Sequence, residues 1–144
     1  MSFQWLQMRI QEESDRRERE KLTLERLPEA LEELHQILKQ AVKSYTDVFG
    51  DDSVDIVLLP SRSRVTARDQ RDGKWFTVAK VEVIISEEIP GFRIERGEYS
   101  AAIEVGLLPS KKLYYRDREQ DVYLTMDDLT KRILDRVLFP KLRE

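Results

Sequence analysis

The chain holds one histidine, His35, and no cysteine. A catalytic histidine needs a nucleophile to deprotonate or a carboxylate to orient it. Glu32 stands three residues earlier, but no Ser or Thr shares that helix face nearby. His35 therefore reads as a residue at the boundary of an apolar stripe, without a chemical role. Without cysteine there is no thiolate chemistry, disulfide or sulfur-based zinc site. Asp117, Glu119, Asp121 and Asp128 fall at the first, third, fifth and twelfth positions of a calcium-loop spacing. The sixth position, which needs glycine for its sharp turn, is Val122, and Asp128 is too short for the usual bidentate glutamate. A hairpin turn followed by a helix cap accounts for the same acids. The acid-then-Glu-x-Lys order of metal-dependent nucleases is also missing, because Lys80 precedes Glu82 and Gly106 follows Glu104. No phosphate-cradling glycine loop, nucleophile elbow or paired-histidine motif appears. No catalytic residue, metal or cofactor is assigned from the sequence, and an enzyme with an unidentified site is the weakest of three functional readings.

The basic residues are better organised. Arg62, Arg64 and Arg68 fall on the outward face of one candidate strand, with Thr66 between them and Lys80 across. Tyr114, Tyr115, Arg116 and Arg118 cluster later, and arginine interleaved with aromatics can pair phosphates and stack bases. Against this, Asp69, Asp72, Glu82, Asp117 and Glu119 are interspersed, and charges on strands also protect sheet edges. A second feature joins this set. VDIVLLPSR at 54–62 and IEVGLLPSK at 103–111 are near copies. Ser61/Arg62 and Ser110/Lys111 would place hydroxyls, backbone N–H groups and positive charge at two related turns, enough to hold an anion. The structural reading is a hairpin used twice: Leu-Leu buries a strand end on both faces, proline stops the ladder and serine suits the turn. Ser61, Arg62, Arg64, Arg68, Lys80, Ser110 and Lys111 are the candidate anion-binding residues. RNA or single-stranded nucleic acid is the partner they imply.

The elements that carry these residues follow from periodicity. Leu27, Leu31, Leu34, Leu38, Ala41, Val42, Tyr45 and Val48 form one stripe on a helix that starts with Pro28 in its first turn and ends at Gly50. Candidate strands are 54–59, 62–69, 74–86, 92–95, 98–107, 113–115 and 122–124. At the Arg71-Asp72-Gly73 turn, a three-residue loop sets Val65 opposite Ala79 and Arg62 opposite Glu82, keeping apolar with apolar, and is preferred over a two-residue Asp-Gly loop. Thr125 caps a last helix carrying Leu129, Ile133, Leu134, Val137 and Leu138. The fold expected is α+β. It has a long N-terminal helical region kinked or broken near Pro28, an antiparallel sheet of about five to seven strands with one helix-covered face, and a C-terminal helix.

Residues 1–27 differ in style from 28–144, the single α+β domain. Phe3, Leu6 and Ile10 share a face, with Trp5 and Met8 nearby, and then Gln11 to Lys21 holds no apolar residue. Glu12/Arg16, Glu13/Arg17 and Asp15/Arg19 are favourable i,i+4 pairs, so this stretch predicts a charged helical arm with an apolar tip, which would bury either on its own domain or on a second copy of the chain. Residues 1–21 balance five acids with five bases, which argues against a membrane surface. The whole chain carries 25 bases and 28 acids, a net charge of −3, so no global field draws it onto nucleic acid. With no secretory leader and no apolar run of spanning length, a cytoplasmic location is expected. The leading functional reading is a non-enzymatic soluble interaction module. It would self-associate, as a homodimer, through Phe3, Trp5, Leu6 and Ile10, or bind another protein.

Overall fold

The computed structural model describes residues 3–142. A single helix, α1 (Gln4–Phe49), is followed by a 3-10 turn (Asp51–Ser53). Seven strands come next: β1 (Val54–Leu59), β2 (Arg62–Arg71), β3 (Lys74–Ser86), β4 (Gly91–Arg96), β5 (Tyr99–Leu107), β6 (Leu113–Asp117) and β7 (Val122–Leu124). The helix α2 (Met126–Leu138) follows. The strands form one antiparallel sheet in sequence order, each pairing with its chain neighbour. The α+β architecture is the one expected.

Strand alternation sorts the side chains. Val65, Val81, Val83, Phe92, Ile94, Ile103 and Val105 are each at most 2% exposed and lie under the helices. Leu27, Leu31, Leu34 and Leu38 of α1 and Leu129, Ile133 and Val137 of α2 close that face. Arg64, Glu82, Glu95, Glu104 and Arg116 point to the other, open face, half-buried by their neighbours. Glycine matters at one close approach here: a Cβ on Gly91 would collide with the Ile103 carbonyl on β5.

Three local expectations are corrected. α1 does not begin at Pro28 or break there; Pro28 lies inside it. Pro28 is exposed, so its ring faces solvent, and the Leu24 carbonyl loses one helical bond without interrupting the helix. The β2–β3 loop has two residues: Asp72 (φ 53°) and Gly73 (φ 76°) form a type I′ turn with Arg71 opposite Lys74. A bulge at Ala67/Arg68, which leaves Val78 without an opposite residue, then shifts the register so that Val65 faces Val81 and Arg62 faces Ile84. The apolar match survives, through the bulge rather than through a longer loop. Finally, Val48 is 74% exposed, beyond the last buried residue of α1, Val42.

At the other end the capping expectation holds. The Thr125 hydroxyl accepts from the Asp128 N–H, and the Asp128 carboxylate accepts from the Thr125 N–H. The bond from the Thr125 backbone N–H, and then the Thr125 hydroxyl beside it, hold the Asp128 carboxyl below its usual range.

Candidate functional site

Two surfaces hold the residues singled out by the sequence. The first is the open face of the sheet. Arg62 sits 3.4 Å from Glu82, diagonally across β2 and β3, and Arg64 stands directly opposite the same Glu82. Arg68 is 3.7 Å from Asp55 on β1. Lys80 is exposed and lies opposite Thr66. Further along, Arg116 bridges Glu104 and Asp121, both at 2.8 Å, and these bonds raise the pKa of its guanidinium. The Tyr114 ring covers Gly106, where a Cβ would collide with it, and tilts against Tyr123 at 5.6 Å. Tyr115 points the other way, into the core, and stacks on Phe92 at 6.1 Å. Burial, and then the Glu33 carboxylate, push its phenol up to about 12. Tyr115 is therefore core, not part of an aromatic binding face.

Ser61 and Ser110 lie on different turns. Pro60 and Ser61 form the tight β1–β2 turn, whereas Leu108 to Lys112 make a five-residue β5–β6 loop in which the Lys111 N–H bonds the Leu108 carbonyl and Lys111 takes φ 66°. The turns share one end of the sheet but stand four strand spacings apart, about 19 Å. Ser110 and Lys111 are thus not brought together with Ser61, Arg62, Arg64 and Lys80. The second leucine of each repeat is not buried: Leu59 is 45% and Leu108 43% exposed.

Asp117 has a structural partner set. Its Oδ1 accepts from the Glu119 and Gln120 N–H groups at 3.0 and 3.1 Å, and its Oδ2 accepts from Arg132 of α2. Asp117 therefore ties the β6–β7 turn to α2. Asp128 is the helix cap, so the calcium-spaced acids are spread over separate tasks. His35 is not at a boundary. It is 4% exposed, its Nε2 has no hydrogen-bond partner among the described residues, and burial lowers its pKa against the pull of Glu32. Ser63 Oγ is likewise buried without a partner. Neither orphan was legible as such from the sequence.

The second surface is the arm. Burial in α1 begins at Thr23. Before it, Phe3, Trp5, Leu6, Met8 and Ile10 are 54, 67, 40, 60 and 59% exposed. Between lies the charged stretch, where Glu13 contacts both Arg16 (2.7 Å) and Arg17 (3.0 Å), and Arg16 also reaches Glu20 (2.6 Å). Hydrogen bonds from Arg16 and Arg17 draw the Glu13 carboxyl down to about 2. Of the three i,i+4 pairs expected, only Glu13/Arg17 forms among the described residues. Arg16 turns to Glu13 and Glu20 instead of Glu12, and Asp15 accepts from Gln11.

A groove between the C-terminal part of α1 and α2, about 610 Å³, was not foreseen. Tyr45, Val48, Phe49, Leu138 and Phe139 line it, with Tyr45 packed on Phe49 (4.6 Å) and Phe139 (5.7 Å). Compared with known proteins, the chain matches no family model, no curated protein and no solved structure. No helix among the described residues is long and apolar enough to cross a membrane.

Proposed function

We propose that the protein is a non-enzymatic interaction module that self-associates through its N-terminal helix. One observation carries this reading. Five large apolar side chains, Phe3 to Ile10, stand exposed on a continuous helix that first contacts its own domain's core at Thr23. At about 1.5 Å per residue, Ile10 is held about 20 Å along the axis from that point. A helix without a hinge cannot fold its tip back, so burial of the tip calls for another chain. The nucleic-acid alternative has less support, since Arg62, Arg68 and Arg116 each have a carboxylate within 4 Å and Arg64 faces Glu82.

Sedimentation velocity over roughly 1–100 µM, a span set by micromolar-range affinities, tests the proposal. The full chain should be a dimer and the Trp5→Glu/Ile10→Glu variant a monomer, with unchanged domain folding by circular dichroism. A monomeric full chain throughout that range refutes it.

A further inference from the structure

The groove between α1 and α2 lies on the same helix as the apolar tip, at its other end. We propose that two copies exchange arms. The Phe3–Ile10 segment of each would lie in the other's groove, with the two α1 helices antiparallel about a two-fold axis near Arg26. This rests on the self-association reading and names the surface that receives the tip.

Reach selects the occupant. Leu6 and Tyr45 are separated by about 58 Å of uninterrupted helix, so no chain can fill its own groove with its own tip. The same separation recurs on a second copy. Laid antiparallel with Leu6 opposite Tyr45, both tips therefore meet both grooves at once, and the pair closes. The lengths agree as well: Phe3–Ile10 spans about 12 Å of helix and Ala41–Phe49 about 13 Å.

Area favours the reciprocal arrangement over a single contact. On the tip face Phe3, Leu6 and Ile10 are 54, 40 and 59% exposed, and on the groove side Val48, Phe49 and Phe139 are 74, 57 and 38% exposed. With about 190 Å² for a large side chain, one tip face in one groove covers roughly 600 Å², below the size of a stable interface. Two such contacts cover roughly 1,200 Å², the lower end of the range for specific interfaces. Charge agrees with the alignment. The tip face of Phe3, Leu6 and Ile10 continues through Arg17 and Lys21, at helical spacing. The ridge below the groove continues from Ala41 through Ile37 to Glu33 and Glu29, four residues apart. In the antiparallel register Arg17 comes alongside Glu33, and Lys21 alongside Glu29.

The chain has no cysteine, which makes a direct test available in the full-length protein. Gln7 and Ser44 are exposed, and the alignment brings Gln7 of one copy beside Ser44 of the other. Within one chain they are about 55 Å apart, so any disulfide between them is intermolecular. Under mild oxidation the Gln7→Cys/Ser44→Cys variant should give covalent dimers and nothing larger, while each single variant should cross-link at least tenfold more slowly. A ladder of higher species, or equally fast cross-linking of Gln7→Cys alone, overturns the exchange in favour of head-to-tail or tip-to-tip contact. Val48→Glu separates the two proposals, because Val48 is exposed and outside the core. It should raise the dimer dissociation constant at least tenfold. If Trp5→Glu/Ile10→Glu is monomeric while Val48→Glu stays dimeric, self-association stands and the groove assignment falls. If wild type is itself monomeric, both fall.

Discussion

Removing the Asp117 carboxylate should loosen α2 from the sheet. Asp117 is 3% exposed and accepts three hydrogen bonds, two from backbone N–H groups of its own turn and one from Arg132. The Glu119 and Gln120 N–H groups belong to exposed residues, so water can replace part of what they lose. Each such bond contributes about 0.5–1 kcal/mol. Arg132 keeps 24% side-chain exposure and a second bond to Gln120 at 2.9 Å, so its loss lies nearer 1.5 kcal/mol than the roughly 3–5 kcal/mol of a fully buried pair. Asp117→Ala should therefore cost about 3 kcal/mol. Asp117→Asn keeps an acceptor for the turn and should cost about 1.5 kcal/mol. Urea unfolding followed by far-ultraviolet circular dichroism, at one fixed protein concentration, reads both. A double-mutant cycle with Arg132→Met should return a coupling of about 1.5 kcal/mol. A loss below about 0.5 kcal/mol for Asp117→Ala, or a coupling near zero, would refute the argument that this carboxylate holds turn and helix together.

Other outcomes follow from the same reasoning. His35 has a folded-state pKa below its unfolded value, so the unfolded chain takes up the proton first. Its contribution is full above about pH 6.5 and is lost as pH falls toward the folded pKa, with a slope of up to about 1.4 kcal/mol per pH unit. Urea midpoints of wild type and His35→Leu between pH 5 and 8 should diverge in that direction, and parallel profiles would count against it. Gly73→Ala forces a Cβ into a left-handed position of the type I′ turn and should cost about 1 kcal/mol in thermal unfolding, while Asp72→Gly should cost little. Thr125→Ala removes the α2 cap and should cost about 1 kcal/mol, read by the same melt. Phe92→Ala, at 1% exposure, should cost about 3–5 kcal/mol in urea.

Most of the fold was legible because its elements are strongly periodic. Val54–Leu59, Lys74–Ser86 and Val122–Leu124 match the expected strands residue for residue, and the five expected core positions of α2 are all buried. What the sequence concealed is where several solutions satisfy one pattern. The apolar match across β2 and β3 is met by a longer loop or by a bulge, and composition does not choose between them. Pro28 is compatible with a helix start or with an exposed interior position. Val48 continues the stripe of α1 although nothing among the described residues covers it. The groove that results, between two helices far apart in sequence, had no local signature. The repeated LLPS segments are hairpin turns in both copies, but the left-handed Lys111 makes the second wider than the first.

The order of the sheet also bears on how the chain reaches its fold. Each strand pairs only with its neighbour in sequence, so every hairpin closes a short loop and none waits for a distant segment. Sheet proteins usually fold slowly because they must bring remote strands together; this one does not. The costly closures belong to the helices: α1 must dock on β5 and α2 on β2 and β3, each across some forty residues or more. Docking of the helices on the sheet should then be the slow event in refolding. Substitutions at Leu31 or Leu34 should slow it more than substitutions in the β2–β3 hairpin.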